Sequence, residues 1–514
     1  MRCMVKYIAL FLSVWIISLQ SLSAQTEDRD ILNRKVQLSK QKSTVYQLLR
    51  QISDQSGYLF IYDSQIIDND KKVKTVTGEY TLQSAIYTIT GDRNLKFRTV
   101  GNHILLYKEA EAPVTSTKKT PLQKDDTTHI ILSGKVLDRI SNDPIAYASI
   151  DVLNSSIGTI SNQDGEFRLI LPDTLQNAQI TFSHLGYRTQ TLKVSLLSGQ
   201  SATFMLDPEV VPLQEVVVRL VNPIQTIKTM LANRKMNYSS IPVYMTVFYR
   251  EGVEYKKKNI NLTEAVLKLY KTGYQNGTYS DQIKLLKMRK VTNKVEADTL
   301  ITKMKSGLNS VLMLDIVKNL PDFLELDVDS HYEYAHTDIT VIDNRKVNVI
   351  SFEQKDVITE PLYKGELYID AENNALLQAK FEINPEYVKK SSEMFVEKKR
   401  RNLSITPQSI TYIVSYKSVN GIYYISHIRG DLNFSIKEKK RLFSRPLHTW
   451  FEMVTCEVDT NNVERLPKSD RLPTRNIFSD TNFKYDKNFW GNFNTIIPEE
   501  KLKELIINYF SNTK

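Results

Sequence analysis

The sequence predicts an α+β protein of several domains: a small α+β module, a β-sandwich and a large antiparallel β-sheet domain with flanking helices. Two patterns indicate this organisation. Helical and strand periodicities alternate near the start of the chain, and short strand-like runs separated by turn residues dominate the rest. The length of 514 residues also suffices for roughly two to four domains, each with its own core.

The composition excludes several classes of protein. The 17 glycines and 16 prolines are too few for a fibrous or low-complexity chain. A mean hydropathy of −0.32 does not fit a polytopic membrane protein. The formal net charge of +10 is modest for this length, so charge alone does not indicate a nucleic-acid partner.

Residues 1–24 have the pattern of a cleavable secretory signal. Arg2 and Lys6 precede a short apolar run, and a small-residue end predicts cleavage after Ala24. The apolar run is shorter than the roughly 20 residues that span a bilayer, which disfavours a membrane anchor. We therefore expect an exported protein with no nucleic-acid partner. Cys456 is then the one remaining cysteine, so no intramolecular disulfide can form.

The next segment predicts two amphipathic helices on a small sheet. Ser43 or Thr44 caps the first helix and Gly57 ends it, while Thr81 caps the second helix and Gly91 ends it. Short strand-like runs surround both helices. The pattern therefore indicates a compact α+β module.

Particular segments of this module resemble the short secretin and TonB N-terminal domain, the STN domain, over residues 31–108. In that family the domain lies in the periplasm at the front of outer-membrane receptors or secretins and contacts partners such as anti-sigma factors. The resemblance implies a Gram-negative envelope protein, located in the periplasm or at the periplasmic face of the outer membrane, with an envelope protein as partner. The segments are Thr44-Val-Tyr-Gln-Leu-Leu49, Ser56-Gly-Tyr-Leu-Phe-Ile-Tyr62, Gly78-Glu-Tyr-Thr-Leu-Gln-Ser-Ala85 and Asn102-His-Ile-Leu-Leu-Tyr107.

A β-sandwich is predicted for residues 129–208. Residues 109–128 contain almost no apolar side chains and read as a linker. Seven short strand-like runs with turn residues between them follow this linker. In the turn Asn162-Gln-Asp-Gly165, Gly165 is expected to adopt a positive φ.

Four segments of this region resemble the carboxypeptidase-regulatory-like domain, a prealbumin-like β-sandwich that has no peptidase activity. His184 falls in one of these segments, where we expect a loop or packing histidine. One acidic turn at Asp164 does not supply the ligands that calcium needs. The segments are Gly134-Lys-Val-Leu-Asp138, Pro144-Ile-Ala-Tyr-Ala-Ser-Ile150, Gly158-Thr-Ile-Ser-Asn-Gln-Asp-Gly-Glu-Phe167 and Ser183-His-Leu-Gly-Tyr187.

The resemblance to TonB-dependent receptors ends after residues 213–218. In receptors with this domain order a plug and a large barrel follow, whereas here Asn222-Pro223 opens a helix. The remaining residues are too few for a plug and a large barrel. Several segments, such as Val247-Phe-Tyr-Arg-Glu251, instead resemble envelope proteins of Bacteroidetes that carry the regulatory-like domain.

Residues 222–514 predict a β-rich domain. Successive strand-like runs form hairpins, of which the turn at Asn420-Gly421 is the clearest. A final amphipathic helix follows Pro498. The pattern at Gly365-Glu-Leu-Tyr-Ile-Asp370 resembles half-barrel lipoprotein carriers, so the domain is a candidate carrier of a lipid or another apolar ligand.

Five aromatic residues are candidates for facing such a ligand. The alternative is that the same side chains form the core between sheet and helices. An open concave apolar face would favour a carrier, and a filled face would favour a scaffold. The five residues are Tyr412, Tyr424, Phe434, Trp450 and Phe451.

The sequence predicts no catalytic, cofactor-binding or metal-binding residues. It contains no His-Glu-x-x-His motif, Gly-x-Ser-x-Gly elbow, P-loop or dinucleotide loop. The spacing of His331 and His336 about Glu333 fits joint metal ligation on neither a helix nor a strand. Cys456 lies in an alternating β-run and is expected to be a buried, inert thiol.

We therefore expect a non-enzymatic envelope protein that acts through protein–protein interaction modules, with carrier and hydrolase activities as alternatives. Four basic clusters could contact an anionic lipid or glycan surface, or could be solvated loops and strand edges. They are Lys256-Lys-Lys258, residues 284–290, Lys398-Lys-Arg-Arg401 and residues 437–445.

Overall fold

The computed structural model describes most of the chain. The signal-like residues 1–24, the linker 109–128 and residues 213–218 lie outside the described residues. The described ranges are 31–62, 67, 71–100, 103–107, 129–197, 201–209, 221–256, 258–274, 280–292, 302–304, 307–326, 330–343, 345–399, 403–439, 442–472 and 490–511.

The chain divides into two compact units. The first contains residues 1–127, 132–135 and 196–204, and the second contains residues 128–131, 136–195 and 205–514. None of the helices in the described ranges combines the length and hydropathy needed to cross a bilayer.

The first unit holds two capped helices, α1 (Val45–Ser56) and α2 (Leu82–Thr90). Thr44 accepts a hydrogen bond from the backbone N–H of Gln47, whose side chain accepts one from the backbone of Thr44, so the two residues form a capping box. The helices end in left-handed glycines. Their apolar faces pack on short strands: β1 (Lys35–Leu38), β2 (Lys42–Thr44), β3 (Leu59–Tyr62), β4 (Lys72–Lys74), β5 (Gly78–Thr81), β6 (Lys96–Val100) and β7 (His103–Tyr107).

Seven strands form the β-sandwich region, as the sequence predicted. β9, β10, β12 and β13 form one sheet in the order β10-β9-β12-β13. Gly165 adopts a φ of 78°, as its turn requires. The strands are β8 (His129–Asp138), β9 (Ser149–Val152), β10 (Gly158–Ile160), β11 (Glu166–Pro172), β12 (Gln179–Ser183), β13 (Gln190–Lys193) and β14 (Ser201–Leu206).

Ten antiparallel strands form the large sheet of the C-terminal domain, which confirms the predicted large antiparallel sheet. Their order is β17-β16-β15-β26-β25-β24-β22-β21-β20-β19, and two short strands, β18 and β23, pair separately. The strands are β15 (Val243–Tyr255), β16 (Lys258–Lys271), β17 (Gln282–Thr292), β18 (Thr302–Met304), β19 (Tyr332–Ile342), β20 (Arg345–Gln354), β21 (Tyr363–Asp370), β22 (Leu376–Ile383), β23 (Val396–Lys399), β24 (Leu403–Val419), β25 (Ile422–Glu438) and β26 (Arg445–Asp459).

Short helices accompany this sheet. The predicted helix after Asn222 is present and is capped by the side chain of that residue. The helices are α3 (Pro223–Ala232), α4 (Arg234–Asn237), α5 (Gly307–Met313), α6 (Ser392–Phe395) and α7 (Glu500–Ser511).

One surface of the large sheet, here called the aromatic face, is closed by the chain itself. Phe323, in a 3-10 helix, is fully buried and stacks on Phe352 with 4.3 Å between ring centroids. Leu308 and Val311 of α5 belong to the same core. The strand register places on this face Tyr334, Phe352, Gly365, Phe381, Tyr412, Gly430 and Phe451.

The opposite surface, here called the polar face, carries charged side chains in the alternate register. Over β15, β16 and β26 it is covered by the sandwich and by residues 490–511. Ile160 of the sandwich and Ile496 pack there against Phe248 and Val454, while Leu502 and Ile506 of α7 pack against Trp450.

Candidate functional site

A ladder of alternating charges crosses the polar face from β25 to β17. Strand register places Arg429 opposite Glu452, Glu452 opposite Arg250, Arg250 opposite Glu264, and Glu264 opposite Arg289. All five residues are buried. Opposite charges on directly facing strand positions attract, so the register itself assembles the ladder.

Arg250 is the central cation of this ladder. Its Nε lies 3.1 Å from Oε1 of Glu264, and its Nη1 donates to Oε2 of Glu499 at 3.1 Å. Its Nη2 donates to the backbone carbonyl of Ile496 at 2.5 Å. Arg289 donates through Nε to the other oxygen of Glu264. The guanidinium of Arg250 thus ties the C-terminal segment to the sheet.

The second half of the ladder centres on Arg429. This side chain makes a bidentate contact with Asp431, at 2.7 and 2.9 Å, and its Nη1 lies 3.7 Å from Glu452. His448 pairs with Asp431 at 3.0 Å, and His427 pairs with Glu452 at 3.1 Å. Each carboxylate therefore has at least two basic neighbours.

The sandwich contributes an aromatic cover to this network. Tyr147 stacks on His427 with 4.8 Å between ring centroids, and the guanidinium of Arg429 lies 5.7 Å from the centre of the Tyr147 ring. Lys417 of β24 also pairs with Asp151 of β9 at 2.5 Å. The sandwich residues within the second unit are therefore joined to the sheet by ionic and ring contacts.

The pKa shifts show which charges the network stabilises. Burial alone would raise the pKa of Asp431, but His448 and Arg429 outweigh it and lower that pKa to about 2. The pKa of Glu452 is likewise lowered, because His427 and Arg429 outweigh the effect of burial. Burial would lower the pKa of Arg250, yet Glu499 and Glu264 raise it. At neutral pH these groups hold one another in the charged form, which suits a structural joint.

A second buried cluster pins the ends of β16 and β17 to the segment after α5. The ammonium of Lys271 lies 2.8 Å from Asp281 and 2.5 Å from Asp315. The hydroxyls of Tyr274 and Tyr416 each donate to Asp315 at 2.9 Å. Burial would raise the pKa of Asp281, but Lys271 and then Lys318 lower it to about 2. This cluster is also internally paired.

The other half of the polar face, over β19 to β25, contains an open groove of about 710 Å³. Both acidic and basic side chains line its floor. The charged residues that line it are Glu333, Glu353, Lys364, Glu366, Lys380, Glu382, Arg429 and Asp431.

The five aromatic residues predicted to face a ligand do not share one open surface. Tyr412, Tyr424, Phe434 and Phe451 are buried members of one apolar core. Trp450 precedes Phe451 in β26, so it points to the opposite, polar face, where α7 covers it. There the guanidinium of Arg429 lies 5.1 Å from the centre of the Trp450 ring.

His184 and Cys456, which the sequence analysis also considered, each pack against neighbouring parts of the fold. Nδ1 of His184 donates to the carbonyl oxygen of Leu185 at 3.0 Å, and the His184 ring contacts the Tyr187 ring edge-on. Cys456 is buried, and burial raises its pKa to about 12. Within the described ranges no three His, Cys, Asp or Glu side chains lie together as metal ligands would.

The structure describes only some residues of the four basic clusters. Lys284 pairs with Asp470 at 2.7 Å, and Arg289 ends the charge ladder. Side chains of residues 398–401 and part of the 437–445 segment lie outside the described residues.

Sequence reasoning missed the ladder. Its signal is a lone charge inside a strand whose neighbours are apolar on both sides, as at Glu452 between Phe451 and Met453. Such a charge is buried and needs a partner, because an unpaired buried charge is costly.

A family model matches one region of the chain by sequence, and two solved structures are similar to about half of the chain by fold. A crystal structure of a DUF1329 family protein from Desulfovibrio piger is similar at 10% identity and a TM-score of 0.20, covering 47% of this chain and 95% of that one. Lipovitellin, from a structure of its lipid–protein interactions, is similar at 8% identity and a TM-score of 0.20, covering 46% of this chain and 27% of that one. Similarities at this TM-score carry no functional argument.

No curated protein matches the chain. The family model described as the CarboxypepD_reg-like domain matches residues 132–218. That match overlaps the predicted regulatory-like segments and the seven-stranded region. Residues 132–218 are therefore similar in sequence to the CarboxypepD_reg-like domain.

Proposed function

We propose that this protein is a non-enzymatic envelope protein that acts as an interaction scaffold. In this proposal the CarboxypepD_reg-like domain is fixed on the C-terminal sheet, and residues 31–108 contact an envelope partner. The signal-like N-terminus and the STN-like segments support a location in the periplasm or at the periplasmic face of the outer membrane.

The filled aromatic face is the observation that carries the proposal. A carrier of an apolar ligand needs space beside an apolar surface. Here Phe323 lies within that space, in contact with Phe352 and with Phe381, whose ring centroid is 5.2 Å away. Four of the five aromatic candidates already pack in this core. The arrangement favours a scaffold over a carrier.

The charge ladder also suits a scaffold. Burying ion pairs gains little net stability, but it penalises arrangements in which the partners separate. Arg250 contacts Glu264 of the sheet and Glu499 near α7, so relative movement of these parts would leave buried charges unpaired. A joint of this kind would hold interaction surfaces at fixed positions.

Affinity capture from envelope extract tests the proposal. The bait is the chain lacking residues 1–24, and the comparison bait also lacks residues 25–108. We expect a partner that the longer bait retains, that the shorter bait loses, and that added residues 31–108 displace. Circular dichroism verifies that the shorter bait is folded.

Mass spectrometry under native conditions tests the carrier alternative on the same sample. We expect the mass of the bare chain. A stoichiometric amphiphile, together with identical partners for both baits, would overturn the scaffold proposal in favour of a carrier.

A further inference from the structure

The open half of the polar face has a regular arrangement of carboxylates. Four neighbouring strands each present one to the groove: Glu333 on β19, Glu353 on β20, Glu366 on β21 and Glu382 on β22. Lys364 and Lys380 lie among them. The groove adjoins the half of the same face that already binds the sandwich.

Some of these charges are paired within the chain. Lys364 lies 4.0 Å from Glu353. Glu366 accepts a hydrogen bond from the hydroxyl of Tyr368 at 2.5 Å, and the ammonium of Lys380 lies 5.3 Å from the centre of the Tyr368 ring. Glu353 and Glu366, on the two middle strands of the four, therefore already have partners within the chain.

Among the described residues, the carboxylates of Glu333 and Glu382 have no ion-pair or hydrogen-bond partner. Lys364 faces Glu382 in the strand register, but its ammonium lies against Glu353, at 4.0 Å. Glu333 also lies directly opposite Glu353 in the strand register. Like charges at facing positions are destabilising. The positions of Glu333 and Glu382 therefore favour an added cation, although the chain as a whole has a net charge of +10.

The separation of the two carboxylates matches an extended polypeptide. Glu333 and Glu382 are three strands apart, or about 14 Å at the usual strand spacing. Side chains four residues apart on one side of an extended chain are also separated by about 13–14 Å. The peptide residue midway between the two basic side chains would lie over Glu353 and Lys364. These two charges already pair with each other, so that peptide residue needs no charge.

The lining also indicates the class of ligand. Tyr334, Phe352, Phe381 and Tyr412 contribute backbone to the groove, while their rings belong to the opposite face by register. The side chains that line the groove are therefore mainly charged, and its floor crosses six strands, about 24 Å. A small amine would occupy only part of that length.

We propose that the open half of the polar face docks an extended segment of a partner protein with two basic side chains four residues apart. Its cations pair with Glu333 and Glu382, and its intervening side chains are neutral. This surface lies in the C-terminal domain, so the inference stands apart from partner binding by residues 31–108.

Fluorescence anisotropy with the chain lacking residues 1–24 tests the inference. The probe is a labelled peptide Gly-Ser-Lys-Ser-Thr-Ser-Lys-Ser-Gly, and the control peptide Gly-Ser-Ser-Lys-Lys-Ser-Thr-Ser-Gly has the same composition with adjacent lysines. We expect the probe to bind at least about fivefold more tightly than the control, because adjacent lysines point to opposite sides of an extended chain. Binding should weaken as salt is added.

Two variants locate the binding site. The double variant E333Q/E382Q removes both charges with little change in shape, and we expect it to bind the probe about tenfold more weakly. The matched control E372Q neutralises an exposed carboxylate in the β21–β22 turn and should bind as the parent does.

Several results would overturn the inference: no binding of the probe, equal binding of the two peptides, or unchanged binding by E333Q/E382Q. If E372Q lost as much affinity for the probe as the double variant does, binding would depend on the net charge of the protein and not on these two carboxylates. If spermidine displaced the labelled probe as effectively, mole for mole, as the unlabelled peptide does, the groove would be assigned to a small polyamine instead. Circular dichroism confirms that each variant is folded.

Discussion

Arg250 and Glu264 form an ion pair at the centre of the C-terminal domain, with 3.1 Å between Nε and Oε1 across β15 and β16. Both side chains are buried, at 0% and 1% exposure. Because Glu499 also contacts Arg250, one guanidinium compensates charges from β16 and from the segment preceding α7. The pair therefore links sheet assembly to docking of the C-terminal segment.

Replacing this guanidinium should be strongly destabilising. In R250M, Glu499 loses its ion-pair partner and Glu264 retains only Arg289, so we expect the free energy of unfolding to fall by about 3–5 kcal/mol. Urea denaturation followed by tryptophan fluorescence measures this change. The exposed Arg188 supplies the control, since R188M should change stability by less than about 0.5 kcal/mol. Equal effects of the two variants would contradict a structural role for the ladder.

The Lys271 cluster predicts a stability change in acid. Lys271 and Lys318 lower the pKa of Asp281 to about 2, against an ordinary value of 3.8, despite its burial. The ionised carboxylate thus contributes about 2 kcal/mol above about pH 4, and this contribution disappears as pH falls through about 2. D281N should be less stable than the parent at pH 6, and the difference should shrink steadily below pH 4. Thermal unfolding at several pH values measures it, and a difference that stays constant down to pH 2.5 would contradict the assignment.

Local chemistry explains which parts of the fold could be predicted. The caps at Thr44 and Thr81 and the hairpin at Asn420-Gly421 depend on residues adjacent in sequence, and all three are present. In that hairpin both central residues adopt positive φ, at 52° and 82°, as a two-residue turn demands.

The charge ladder depends instead on register between distant strands. Glu452 and Arg250 face each other only after β26 pairs with β15 across about 200 intervening residues. Period-2 alternation is nevertheless a local signal, and it separates Trp450 from Phe451 onto opposite faces. What the sequence does not reveal is which face the helices cover, because that depends on packing of the whole domain.

Alanine substitutions at two glycines distinguish the free-energy cost of a left-handed backbone from that of a steric clash. Gly165 and Gly421 have φ values of 78° and 82°, so an alanine at either position is strained by about 1–2 kcal/mol. A Cβ at Gly165 would also lie 2.5 Å from the carbonyl oxygen of Val136, whereas a Cβ at Gly421 would meet no atom within 4 Å. We therefore expect G165A to lose at least about 1 kcal/mol more than G421A in urea denaturation. A smaller loss in G165A would show that the sandwich turn relaxes around the added methyl group.

The filled aromatic face predicts a large effect of removing one ring. Phe323 is fully buried between helix and sheet, so F323A should leave a cavity and lower the free energy of unfolding by about 3–5 kcal/mol. Phe443 is 82% exposed, and F443A should change stability by less than about 0.5 kcal/mol. Urea denaturation compares the two variants under identical conditions. If F323A proved as mild as F443A, the ring would not be packed as a core residue, and the case for a scaffold over a carrier would lose its main support.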